Sequence, residues 1–251
     1  ALETDSPKVR TAAARALGVI DDTWVITPLL TALNDTDLWV RYFAARSLGE
    51  QKATQSYEAL AQVAQTDVAN PVRIAAIEAL GQIGYVQAVP IIAPLTESAE
   101  TDLAHAALKA LGQIDHADAL PPLLAALRST QQARKLAAID ALGHHREAEA
   151  VKALQAIATV DEEPKTVQEI IDTLAQMATA EAINALTALT ANPSRREACV
   201  KALSALSEQQ IDWIAGGLLH EHPGVRSATI DVLIRMKNPL VIKQLLTALE
   251  D

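Results

Sequence analysis

Few residue types in this 251-residue chain sit at spacings that could do chemistry. His220-Glu221-His222 could form half a metal site, and His144-His145 are adjacent, which sends their rings to different sides of a helix end. Cys199 is the single cysteine, so neither a disulfide framework nor a four-cysteine zinc site can be built. It occupies the same helix-face slot as Ala13, Ala44 and Ala76, which reads as a small core residue rather than a nucleophile. No glycine-rich phosphate loop and no serine nucleophile elbow is present. The sequence therefore predicts no catalytic set, no metal and no cofactor.

One phrase does recur. It runs from Val9-Arg10 to Ala16-Leu17-Gly18, from Val40-Arg41 to Ser47-Leu48-Gly49 and from Val72-Arg73 to Ala79-Leu80-Gly81. It continues to Ala110-Leu111-Gly112 and Ala141-Leu142-Gly143, then fades. The slot of Arg10 maps to Arg41, Arg73, Ala104, Lys135, Val167, Arg196 and Arg226, in steps of 31, 32, 31, 31, 32, 29 and 30 residues. Such a period marks a repeat array. Val9, Ala12, Ala13, Ala16, Leu17 and Ile20 keep helical spacing. These second (B) helices are predicted near 7–18, 38–49, 71–81, 102–112, 133–143, 165–176, 194–206 and 223–236. Ser6, Asn70, Asn192 and His222 each precede a proline and are predicted as N-caps, and the glycine of each Leu-Gly pair as a left-handed C-terminal residue. First (A) helices lie between, as in Pro28-Leu29-Leu30, Pro122-Leu123-Leu124 and Gln244-Leu245-Leu246.

Half the residues are hydrophobic but only 3% are aromatic, which suits many close helix–helix contacts through small side chains. The expected fold is thus all-α, an α-α superhelix of about eight helical hairpins and about sixteen helices, in a single array over 1–251. Both ends fall in mid-unit and the chain starts Ala1-Leu2 without Met, so a segment of a longer protein is expected.

These units resemble HEAT repeats, most closely the short phycobilisome-lyase-like class, over essentially the whole chain. The resemblance implies a bend at prolines inside A helices, here Pro28, Pro94 and Pro122. It also implies an Asp–Arg ladder between units, which Asp5, Asp35 or Asp37, and Asp67 would form with Arg10, Arg41 and Arg73. Ala104 and Val167 interrupt that ladder. The HEAT-repeat enzyme that hydroxylates deoxyhypusine uses several His-Glu pairs on B helices, whereas this chain has one, His220-Glu221, in a loop.

In such solenoids the exposed side of the B helices lines a concave surface. Two slots project there, i and i+4 off the apolar stripe. The central units place Tyr42, Ile74, His105 and Leu136 in the first and Arg46, Glu78, Lys109 and Asp140 in the second, with Trp39 beside Tyr42. This strip, with an apolar centre and a basic N-terminal end, is the candidate site for an extended peptide or partner protein. The net charge of −10 and the mixed charges of the strip argue against nucleic acid. No apolar run is long enough for a membrane span, and a cytoplasmic location is expected. The leading expectation is a non-enzymatic protein-binding scaffold. The alternative, implied by the resemblance, is a bilin lyase or chromophore-handling chaperone subunit.

Overall fold

A computed structural model describes residues 6–161, 163–238 and 241–242. Among them there are fifteen α-helices and no strand. The B helices are α1 (Pro7–Leu17), α3 (Leu38–Glu50), α5 (Asn70–Ile83), α7 (Thr101–Gln113), α9 (Gln132–Leu142), α11 (Pro164–Met177), α13 (Pro193–Ser204) and α15 (Pro223–Met236). The A helices are α2 (Ile26–Ala32), α4 (Tyr57–Thr66), α6 (Val89–Ile92), α8 (Leu120–Ala126), α10 (Ala148–Val160), α12 (Ala180–Leu189) and α14 (Ile211–Ala215). The chain is an all-α solenoid. The A helix expected at Gln244-Leu245-Leu246, and Asp5 of the ladder, lie outside the described residues.

Contacts cluster into two units, residues 1–141 and 142–251. In the first, α1, α3, α5 and α7 pack side by side as a B layer, while α2 and α4 back onto α3 and α5. In the second, α11, α13 and α15 form the B layer, and α10, α12 and α14 form the A layer. Leu48, Leu80 and Leu111, from the recurring phrase, are 0% exposed and fill the space between layers. Val9, Ala12 and Ala16 of α1 are exposed, although their equivalents Val40 and Val72, and Ser47 and Ala79, are buried against a preceding helix.

Of the Leu-Gly glycines, Gly18 and Gly143 follow the last residue of α1 and α9, Gly18 with a right-handed backbone (φ −63°), but the other three do not end their helices. Gly49, Gly81 and Gly112 lie inside α3, α5 and α7, and Gly84 is the one glycine with positive φ (74°) among the described residues. Their role is close approach. A Cβ at Gly49 would lie 2.7 Å from Ala79 Cα, one at Gly81 2.7 Å from Ala110 Cα, and one at Gly112 2.9 Å from Ala141 Cα. A Cβ at Gly18 would meet the Ser47 side chain in the same way. Each glycine thus seats the small residue that opens the next unit's Leu-Gly triplet, so the B helices touch backbone to backbone.

Two other local expectations change. Pro28 and Pro122 stand in the first turn of α2 and α8, where a missing N–H leaves no bond broken, so neither bends its helix. Pro94 does interrupt its A helix, which passes from α6 into a 3₁₀ segment, Ala93–Glu97. Asn70 is not a cap: Ala69 holds that position, and the Asn70 amide donates to Glu100. Ser6 holds its cap position without a side-chain bond, while Asn192 and His222 accept from the amides of Ser194 and Gly224.

The arginine ladder is present and structural. Arg10 clamps Asp35 through Nε and Nη2 at 2.7 and 2.8 Å, and Arg41 clamps Asp67 at 2.7 and 3.0 Å. Each arginine therefore reaches forward to the next unit's turn, and Asp37 instead caps α3. The third rung ends at Arg73, whose Nε donates to the Ala64 carbonyl. The slot of Asp35 and Asp67 is occupied next by Ser98, which keeps the turn, accepting from the Glu100 amide, but supplies no carboxylate.

Candidate partner-binding face

The helical phase of α3, α5, α7 and α9 brings the predicted strip to the surface of the first unit. Trp39, Arg46, His105, Lys109 and Asp140 are exposed, and Tyr42, Glu78, Ile74 and Leu136 are half-buried. Ile74 and Leu136 thus neither seal the core nor stand free. Trp39 meets Tyr42 edge-on at 5.7 Å between ring centroids, and Tyr42 meets Phe43 likewise at 5.1 Å. Lys109 Nζ lies 3.6 Å from Glu78 Oε1, bridging α7 to α5, so the two slots form neighbouring rows across these helices. Arg46 pairs within its own helix with Glu50 at 2.8 Å, a contact that holds its guanidinium above the ordinary value.

At the N-terminal end the strip opens into a groove of about 680 Å³ between α1 and α3. Trp39, Phe43 and Ala12 form apolar lining, while Lys8, Arg15 and Asp37 supply charge. The sequence pattern placed the basic N-terminal end of the strip here, which Arg15 supplies, but missed Phe43. Phe43 fills the slot of Ala12, Ala75 and Ala106, and a lone aromatic in an alanine column was the signal available.

The remaining chemistry-bearing residues are structural. His220 Nδ1 accepts from the His222 amide, and His222 Nδ1 from the Gly224 amide, so both act as turn and cap acceptors. His145 is buried with Nδ1 3.6 Å from Glu147 Oε2, while His144 is exposed. Among the described residues no three His, Cys, Asp or Glu side chains are grouped to hold a metal ion. Burial pushes the Cys199 thiol up to about 12, against a smaller opposing effect of Arg195, so it carries almost no thiolate near neutrality. Among the described residues no helix is long and apolar enough to cross a membrane.

Phycocyanobilin lyase subunit alpha of Nostoc sp. (strain PCC 7120 / SAG 25.82 / UTEX 2576) is 34% identical over 100 residues, covering 36% of this chain and 36% of that protein. The match thus spans about a third of that relative's length. The complex of CpcE and CpcF of phycocyanin lyase from Nostoc sp. PCC7120 superposes with a TM-score of 0.54 at 21% identity, over 94% of this chain and 90% of the other. At that identity the likeness concerns the fold. The expectation of a non-enzymatic protein is corrected here, because the curated relative is a lyase subunit. The error lay in equating a missing catalytic constellation with missing catalysis, since a subunit contributes to an enzyme by binding and positioning as well as by chemistry. A family model described as HEAT repeats matches residues 1–81, 68–142 and 121–204, and the chain belongs to the HEAT-repeat family.

Proposed function

We propose that this chain is a subunit of a bilin-lyase-type enzyme, which holds a linear tetrapyrrole and works in company with another protein. The observation that carries this reading is the groove between α1 and α3. A linear tetrapyrrole is a long conjugated plane with two propionate carboxylates. Trp39 and Phe43 offer ring surface to such a plane, and Lys8 and Arg15 offer cations to propionates. The groove's volume is in the usual range for small-molecule sites, roughly 300–1,000 Å³. The chain as a whole carries −10, so this basic end is where an anionic ligand is least repelled. Sequence likeness to a phycocyanobilin lyase subunit supports the same reading.

The rest of the strip, Tyr42, Arg46, Ile74, Glu78, His105, Lys109, Leu136 and Asp140, is proposed as the surface that meets the accompanying protein. Half-buried apolar side chains flanked by charges of both signs suit a protein surface better than a nucleic-acid backbone. The test is titration of the purified chain with phycocyanobilin, followed by absorbance. A saturable spectral shift is expected, weakened at least tenfold in a Trp39→Ala, Arg15→Gln double variant that melts like wild type. No spectral change with the wild-type chain sinks the bilin reading.

A further inference from the structure

The position that begins the apolar stripe of each B helix is Val9, Val40, Val72 and Val225 in four units, but Arg134 in α9 and Arg195 in α13. Both arginines turn back to the preceding unit. Arg134 Nη2 donates to the Ser98 carbonyl at 2.7 Å, and Arg195 Nη2 to the Asp161 carbonyl at 3.2 Å, equivalent positions of the turn. Arg134 also has a carboxylate: its Nη1 donates to Glu97 Oε2 at 3.1 Å. The position of Glu97, one residue before the turn, is held in the second unit by Val160, which is 76% exposed.

Arg195 is only 8% exposed, and among the described residues no carboxylate lies within ion-pair distance of its guanidinium. The Asp161 carboxylate is turned to the Glu163 amide, accepting at 2.9 Å. Arg195 lines a groove of about 540 Å³ between α11 and α13, with Val160, Val167 and Ile171 as apolar lining and Thr159, Gln168 and Ser194 as polar lining. The side chain is nearly buried but its free guanidinium nitrogens open onto the groove, and with one carbonyl acceptor among the described residues the cation is placed to pair with an anionic ligand there.

We infer that this groove binds a small amphipathic carboxylate, whose carboxylate takes at Arg195 the place Glu97 takes at Arg134. The apolar part of the ligand lies along Val160, Val167 and Ile171. The inference is independent of the tetrapyrrole reading, since groove and residues belong to the other unit.

Thermal melts of the whole chain with hexanoate, 1-hexanol and inorganic phosphate at equal concentration test it. Hexanoate is expected to raise the melting temperature saturably, and neither hexanol nor phosphate to match it. Arg195→Val restores the residue that four other units carry, so it is expected to fold and to lose the hexanoate response. Val160→Glu rebuilds the Arg134–Glu97 arrangement and is expected to raise the melting temperature and weaken hexanoate binding at least tenfold. An unchanged hexanoate response in Arg195→Val, or equal shifts from hexanoate and phosphate, overturns the proposal. So does a Val160→Glu variant that neither stabilises nor competes.

Discussion

Gly81→Ala tests whether the B layer is held at backbone contact. The substitution has one favourable effect: alanine in a helix interior is preferred over glycine by about 1 kcal/mol. Against it, the new Cβ would lie 2.7 Å from Ala110 Cα and 2.8 Å from Ala110 Cβ, where carbon atoms settle at roughly 3.5–4.0 Å. Gln113 Oε1, also at 2.8 Å, belongs to an exposed side chain that can swing aside, but the Ala110 backbone cannot. Helices α5 and α7 must therefore part by the best part of an ångström. That motion loosens Leu80 and Leu111, which are both 0% exposed. Overpacking of a tight core costs about 1–3 kcal/mol, and the lost dispersion along the helix pair adds to it. The overlap should win, with a net loss of about 1–2 kcal/mol. Gly216→Ala is the control, because a Cβ there meets nothing within 4 Å and the backbone is already right-handed at φ −52°. It should be neutral or gain up to about 1 kcal/mol. Thermal and urea melts of the two variants should move in opposite directions. Adding Ala110→Gly to Gly81→Ala should restore little, since the contact with the Ala110 Cα remains. A Gly81→Ala protein that melts at or above wild type would refute the close-contact account.

Other outcomes follow from the same geometry. Leu80→Ala should lower stability by about 2–5 kcal/mol in urea melts, the range for a wholly buried leucine, and a wild-type melt would mean the repeat register is wrong. The Arg10 hydrogen bonds hold the Asp35 carboxyl below its ordinary value, outweighing burial. At Asp67 burial pushes upward, but the Arg41 and Ala69 hydrogen bonds prevail and the net shift is also down. The unfolded chain therefore takes up these protons first as pH falls, so the stabilisation is whole above about pH 4 and lost as pH drops through the folded values. Melts at pH 7, 4 and 3 should show a flatter decline for Asp35→Asn than for wild type, and equal slopes would count against the ladder. Ile74→Asp with Leu136→Asp should leave the fold intact, because half-buried sites let a carboxylate reach water, while abolishing capture of the accompanying protein. Unfolding of this double variant would assign both side chains to packing.

The repeat period and the alternation of A and B helices were legible because helix phase is written in apolar spacing. Leu48, Leu80 and Leu111 are apolar at every copy and can go nowhere but inside. The glycines misled for a physical reason. A glycine after leucine near a helix end is compatible with a left-handed cap and with close packing, and one sequence does not say which. Gly84, three residues beyond Gly81, takes the left-handed role, which frees Gly81 to receive Ala110. The ladder was legible in its residue types but not in its direction, because Asp35 and Asp37 are both near Arg41 in sequence. Capping claims Asp37, and the preceding unit claims Asp35.

Sites on a solenoid are hard to read for the reason its fold is easy. In a repeat array the expected residue at each slot is set by packing, so function is carried by departures from the column rather than by motifs. Phe43 stands in a column of alanines and opens the α1–α3 groove. Arg195 stands in a column that is valine in four units, and among the described residues no carboxylate pairs with it. A departure alone does not separate the two outcomes, because Arg134 departs from the same column and is answered within the chain by Glu97. What separates them is the neighbouring position, glutamate in one turn and an exposed valine in the other, and that comparison needs the turn geometry that places both beside their arginine columns.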